Sequence, residues 1–206
     1  MLFDHDAEMY KMADRFVEVA KKVPEGLAWK YTPQMHEHYY SIGRLYCHMH
    51  EVSKELEHTR VLDFGCGIGM GYMVNQLYDW PFTVECSDMY QSWSKNEKKT
   101  FDHFLDEFKI PVYRNNSILN PDHFWFRPEP REKFDAVWLV RNHYLTHVRC
   151  LPDELYEKFE QICVPGFDIL YCNVTNPESK PTRWEKKKLW RREWTNNNEH
   201  GKVWLI

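Results

Sequence analysis

The 206-residue chain contains no run of about 18 consecutive apolar residues, so no membrane-spanning helix is expected. Its six cysteines, Cys47, Cys66, Cys86, Cys150, Cys163 and Cys172, are scattered, with no Cys-x-x-Cys pair among them. That pattern suits reduced thiols better than a disulfide framework. An excess of one charge is also lacking. The 27 Lys and Arg stand against 31 Asp and Glu, and the resulting net charge of -4 gives no global pull toward nucleic acid. The opening Met1-Leu2-Phe3-Asp4-His5-Asp6 has neither the basic nor the apolar region of a secretory leader, so the expected setting is the cytoplasm. No internal repeat is visible. What the chain does have is ordinary hydrophobic content, 43%, and a high aromatic share, 16%. Its length allows one α/β domain with a full core and is short for two.

The glycines concentrate the information. In Arg60-Val61-Leu62-Asp63-Phe64-Gly65-Cys66-Gly67-Ile68-Gly69-Met70-Gly71 an apolar run ends in an acid and passes into glycines at alternating positions. Tyr72, Met73, Val74 and Leu77 follow at helical spacing. This reads as a strand, a tight turn and a helix N-terminus: glycine lets the backbone turn sharply and approach a ligand, and the helix start offers unpaired N–H groups. A dinucleotide fingerprint, Gly-x-Gly-x-x-Gly counted from Gly65, would need its third glycine at position 70, where Met70 stands. The acid just before the first glycine also opposes a pyrophosphate and favours a cation.

Asp63-Phe64-Gly65-Cys66-Gly67-Ile68-Gly69 closely resembles the first motif of class I S-adenosylmethionine (SAM)-dependent methyltransferases. A second likeness is Leu145-Thr146-His147-Val148, which matches the fourth motif of that family's small-molecule branch. The Asn/Asp-Pro-Pro-Tyr signature of amino-directed nucleic-acid methyltransferases is missing. The resemblance spans about Val61 to Val174 and implies a doubly wound, mostly parallel sheet with helices on both faces. It also implies SAM as cofactor and transfer of its methyl group to an N, O, S or C nucleophile, with a small molecule as acceptor. The cofactor residues it points to are Asp63, Phe64, Gly65, Cys66, Gly67, Gly69, Asp88, Met89, Asn116, Ser117 and Asn142. Asp63 would face the α-amino group and Asp88, about 20 residues past the turn, the ribose hydroxyls. Asn116 and Ser117 stand where the family often carries an acid near the adenine, and that acid is absent here. Arg141, His143 and Tyr144 follow the fourth strand and are the candidate catalytic residues, with His143 as general base. Hydrogen bonding of His143 or His147 to nearby backbone is the competing reading.

Taken in order, Ala13, Phe16, Val17 and Ala20 mark an amphipathic first helix ended by Pro24-Glu25-Gly26. A second helix is expected from about Ser41 to Leu56. Residues 1–58 thus form an N-terminal helical cover over the pocket and residues 59–206 the core, within one compact domain. Its aromatics either line the pocket or pack the helices on the sheet. His36-Glu37-His38 and Cys47-His48-Met49-His50 lack the i, i+4 spacing of helical metal ligands, so no metal is expected. Strands are expected at Pro81–Asp88, with Glu85 inside it, near Ile110–Arg114, at Phe134–Val140 and at Phe167–Val174. Helices are expected around Phe101–Phe108 and after Pro152, with a loop over Pro121–Pro130. The basic, tryptophan-bearing stretch Lys180 to Trp194 reads as a last helix with Trp190 and Trp194 inward, and alternatively as a nucleic-acid contact. Lys202–Ile206 reads as one final strand. Against the family's seven strands this leaves the C-terminal end shortened, by as much as a strand pair. Three other functions stay open beside transfer to a small molecule: a nucleic-acid methyltransferase using that tail, a SAM-binding protein without transfer activity, and a different enzyme on this fold, for example an aminopropyl transferase or a SAM-cleaving enzyme. The acceptor atom and the oligomeric state are not legible.

Overall fold

The computed structural model describes residues 5–22, 33–89, 95–115, 126–127, 130–140, 153–173, 191–196 and 199–205. Two helices lead, α1 (His5–Lys21) and α2 (Pro33–Glu55). They are followed by β1 (Arg60–Phe64), α3 (Met70–Tyr78), β2 (Thr83–Met89), α4 (Lys95–Phe108) and β3 (Val112–Asn115). Then come β4 (Phe126–Arg127), β5 (Phe134–Val140), the helix α5 (Asp153–Ile162), β6 (Cys163–Asn173), β7 (Arg191–Asn196) and β8 (Glu199–Leu205).

The strands form one eight-stranded sheet in the order β4-β3-β2-β1-β5-β6-β8-β7. Strands β3, β2, β1, β5 and β6 run parallel, as the strand–helix alternation predicts. The chain enters at β1, winds outward to β3, then crosses back to β5 beside β1. That reversal between β1 and β5 is the switch point of a doubly wound sheet.

The C-terminal end departs from expectation. Strand β8 pairs antiparallel with β6, and β7 pairs antiparallel with β8. Strand β8 fills the place of the expected final strand, whereas β7 was not expected, so the C-terminal end is not shortened by a strand pair. Trp194, expected on a last helix, lies in β7 opposite Gly201. The local sequence misled because Arg191–Trp194 is charged and aromatic without clear alternation; only pairing with β8 makes it a strand. Trp190 lies outside the described residues. Helix α2 starts at Pro33, earlier than the expected Ser41, which fits the tolerance of proline in a first helical turn. The expected loop over 121–130 holds the two-residue strand β4, antiparallel to β3. Strand β6 takes in Val164-Pro165-Gly166 as a register irregularity, between the pairs Phe134–Cys163 and Ala136–Asp168. Gly166 has φ 81° there, a left-handed conformation that a side chain would strain.

Two apolar layers clamp the sheet. On one face Met9, Phe16, Tyr39, Leu45 and Met49 of α1 and α2 pack with Val61 and Trp138. On the other, Leu62 and Phe64 of β1 and Val137 and Leu139 of β5 meet Leu155 and Phe159 of α5. Alternate strand residues thus serve opposite layers. Each fully buried large side chain contributes about 1.5–3 kcal/mol relative to exposure. The N-terminal helices share their core with the sheet instead of standing apart from it.

Polar groups inside this core are placed with care. Trp138 Nε1 donates to Ser53 Oγ at 2.9 Å, and His58 joins Ser53 Oγ at 3.1 Å to Asp168 Oδ2 at 3.0 Å. The chain has the order of a nucleophilic triad, but the Ser53 hydroxyl already accepts from the Trp138 indole inside the core, which makes the cluster a structural tie. It ties α2 to β5 and β6. Ser53→Ala should destabilise the fold by about 1–3 kcal/mol, read by urea unfolding, because an indole N–H and an imidazole nitrogen lose their partner together. An unchanged midpoint would show that neither group depends on the hydroxyl.

His50 is wholly buried among Trp80, Phe82 and Trp138, with Nδ1 2.6 Å from the Tyr46 carbonyl. Burial holds its pKa down at about 3, against 6.5 ordinarily, while the carbonyl works weakly the other way. The folded state therefore keeps His50 neutral where the unfolded chain takes up a proton. Its stabilising share is complete above pH 6.5 and falls as pH drops from 6.5 toward 3, by up to about 1.4 kcal/mol per pH unit. His50→Phe should flatten the slope of stability against pH between 6.5 and 5 by about one proton; equal slopes would remove His50 from the account.

Candidate functional site

The site is built at the C-terminal ends of β1 and β2, beside the switch point, where open α/β sheets present ligands. Gly65, Gly67 and Gly69 have φ of 81°, 56° and 79°, so three of the alternating glycines occupy left-handed backbone. The turn is fastened to β2: Gly65 N–H and Cys66 N–H both donate to the Ser87 carbonyl, at 2.7 and 3.1 Å. Gly67 N–H donates to Asp88 Oδ2 at 2.6 Å. Gly69 occupies the N-cap of α3, and a Cβ there would lie 2.6 Å from Ile110 Cδ1.

Asp63, the acid before the glycines, is 0% exposed. Tyr46 of α2 donates its hydroxyl to Asp63 Oδ1 at 3.1 Å, while Oδ2 is buried without a hydrogen-bond partner. Burial, and more weakly the nearby Asp88 carboxylate, push the Asp63 pKa up to about 8, against the pull of the Tyr46 hydrogen bond. Tyr46 is itself pushed well up, by burial first and then by Asp63. The Cys66 and Cys86 thiols beside them are raised too; in Cys86 burial and the neighbouring acids outweigh the lowering by Cys66. Unperturbed thiol nucleophiles they are not.

Gly71 completes the arrangement. A Cβ at that position would stand 2.5 Å from Asp63 Oδ2 and 2.7 Å from Tyr46 Cε1. Helix α3 therefore approaches the acid closely only because residue 71 has no side chain.

Of the residues expected to serve the cofactor, the structure brings together Asp63, Phe64, Gly65, Cys66, Gly67, Gly69 and Asp88. Phe64 borders the turn through its backbone; its ring packs edge-on against Phe159 at 5.1 Å on the far side of the sheet. Met89 ends β2 one residue beyond Asp88. Asn116, Ser117, Arg141, Asn142, His143 and Tyr144 lie outside the described residues, as do His147 and the whole stretch 174–190. Glu85 pairs with Arg60 at 2.5 Å and accepts the Tyr113 hydroxyl, which settles it in a structural cluster away from the turn.

The sequence reading missed Tyr46. It lies 17 residues before Asp63 on a helix, and no spacing rule links a helical tyrosine to a strand-end acid. Gly71 was visible as the last alternating glycine, but not its contact with Asp63. A cavity of about 560 Å³ was also missed, lined by Arg60, Tyr72, Thr83, Glu85, Tyr113 and Arg131 among others. Arg60 and Thr83 open β1 and β2, so it borders the opposite end of those strands from the glycine turn. Three histidines of α2 are separately engaged: His36 lies 3.1 Å from Asp14, His48 lies 3.6 Å from Glu51, and His50 is buried. Among the described residues no group of three or more metal-ligating side chains could hold an ion, and no helix is long and apolar enough to cross a membrane.

No family model and no curated protein matches the sequence. Solved structures do resemble the fold. An O-methyltransferase from Bacillus cereus, in complex with SAH, superposes with a TM-score of 0.51 at 11% identity over 100% of this chain and 92% of that chain. A putative O-methyltransferase from Klebsiella pneumoniae gives 0.49 at 10% identity over 97% and 95%. A putative RNA methyltransferase from Pyrococcus horikoshii gives 0.48 at 14% over 99% and 96%. The first of these likenesses covers the whole chain, and the fold is that of the class I methyltransferases.

Gly71→Ala should test the close approach. Alanine favours a helix over glycine by about 1 kcal/mol. Forcing a methyl into this packed contact costs about 1–3 kcal/mol, since both neighbours are buried. We expect net destabilisation by urea unfolding. A stability equal to or above the parent's would mean that Asp63 and Tyr46 move aside freely.

Proposed function

We propose that the chain is a SAM-dependent methyltransferase. The observation that carries this reading is the wholly buried Asp63, whose Oδ2 lacks a partner beside a glycine turn held in left-handed backbone. A buried carboxyl oxygen without a partner is answered by a cation, which also favours its ionised form, and this supports the α-amino group of SAM over a pyrophosphate. The residues thus fit the cofactor that the fold suggests.

In this reading Asp63 pairs with the ammonium, and the glycine turn lets backbone border the ligand without side chains between. Asp88 accepts from the ribose hydroxyls. Its Oδ2 already holds the Gly67 amide, but a carboxylate has about four acceptor sites and can serve both. Asn116, Ser117 and Asn142 complete the adenosine side. When bound, SAM supplies an activated methyl group for in-line displacement by an N, O, S or C nucleophile. The chain's own contribution is to hold the acceptor in line, which by itself can provide much of the acceleration. Arg141, His143 and Tyr144 are the residues proposed to do so, with His143 taking a proton where the acceptor must lose one. A small-molecule acceptor is the reading supported by Leu145-Thr146-His147-Val148 and by the missing Asn/Asp-Pro-Pro-Tyr signature.

Calorimetric titration with SAM, S-adenosylhomocysteine and NADH is the direct test. Micromolar binding of the first two and none of NADH is expected. Asp88→Ala should weaken binding by about 1.5–3 kcal/mol, the range for hydrogen bonds to a charged group. Circular dichroism would check that the variant, which also loses the Gly67 tether, still folds. Absence of binding by the parent protein would overturn the proposed function and leave the fold standing.

A further inference from the structure

Tyr46 has no place in the reading above, yet its position is highly determined. It is 3% exposed, on α2, outside the sheet that carries the glycine turn. Its hydroxyl reaches Asp63 Oδ1, its ring edge fills the space left by the absent Cβ of Gly71, and its carbonyl holds His50 Nδ1 at 2.6 Å. The ring also lies 6.1 Å from Trp138, tilted against it. A tyrosine fixed at its ring, hydroxyl and carbonyl is a rigid donor.

The consequence falls on the carboxylate. Its two oxygens are equivalent in an isolated side chain; here the hydroxyl takes one and leaves the other. We propose that Tyr46 is a positioning residue for the cation-binding acid: by donating to Oδ1 it orients the Asp63 carboxylate and reserves Oδ2 for the ammonium group of a ligand. This rests on the proposed SAM reading and goes beyond it, because it assigns part of the cofactor's recognition to the N-terminal helices.

A second consequence concerns protons. Among the described residues, the titratable groups that act on Asp63 are Tyr46 from α2, Cys66 from the turn, and Cys86 and Asp88 from β2, while α3 meets it with Gly71, which has no side chain. None of these is a cation, so in the free protein Asp63 holds a proton to about pH 8. An arriving ammonium favours the ionised form and displaces that proton. Tyr46 stabilises the ionised form also, so it lowers the pH at which the acid becomes ready.

The experiment compares two ligands on the parent protein, Tyr46→Phe and Asp63→Asn. S-adenosylhomocysteine carries the ammonium group; 5′-methylthioadenosine carries the same adenosine part without it. Calorimetric affinities would be measured from pH 6 to 9. For the parent, affinity for the first ligand should fall as pH drops below about 8, while the second should show no such fall. Tyr46→Phe should weaken the first by about tenfold near neutral pH, move the midpoint of its pH profile upward and leave the second ligand unchanged. Asp63→Asn should abolish the pH dependence in that range. Equal weakening of both ligands by Tyr46→Phe, or an unmoved midpoint, would overturn the positioning role and make Tyr46 a packing residue. Failure of the parent to bind either ligand would instead overturn the SAM reading. The Phe variant removes a single oxygen from the core, and its thermal unfolding would report whether the fold is intact.

Discussion

Asp63 is a carboxyl group with no exposure to water, and much of the local structure answers the cost of burying it. An isolated carboxylate moved into a protein interior either finds partners or gives up its charge. Here one oxygen accepts from Tyr46, the other faces the start of α3, and the pKa is pushed up to about 8. Each neighbouring feature follows from that choice. Helix α2 must lie where its hydroxyl reaches β1. Helix α3 must carry a residue without a Cβ at position 71, in its first turn. The turn between them must use left-handed backbone, and its amides must be pinned to Ser87 and Asp88 so that the acid keeps its surroundings.

The rest of the molecule keeps this geometry still. Strand β1 sits at the centre of five parallel strands and carries apolar side chains to both layers, so its end cannot shift without disturbing two cores. The chain Trp138–Ser53–His58–Asp168 secures the other end of α2, about two turns beyond Tyr46. Burial of His50 inside an aromatic cage fixes the turn of α2 that bears Tyr46. Stability and site are therefore not separate: the same helix that fills the core delivers the hydroxyl to the acid.

The glycine turn, its flanking acid and the second acid at the end of β2 were legible in the sequence because each is a local signal. Alternating glycines report backbone need, and the strand–helix alternation from Val61 to Asn173 reports a parallel sheet. The central strand Phe134–Val140 was legible to the residue, since a strand buried on both faces is a continuous apolar run. The C-terminal hairpin was not. Residues Arg191–Asn196 carry charges, and they form a strand because β8 offers them a pairing edge, which is information held elsewhere in the chain. The partners of Glu85, Arg60 and Tyr113, likewise come from neighbouring strands and leave no mark in the local sequence.

By itself the sequence determined the fold class, the place of the turn and the two acids beside it. Those features depend on residues within a few positions of one another, where spacing maps directly onto geometry. Only the tertiary structure decided how Asp63 is used, because burial is a property of everything packed around a group. Tyr46, Gly71 and Asp88 meet that acid from three elements separated by helices and turns. Their convergence, and with it the state of the charge, exists once the sheet has brought those elements to one edge.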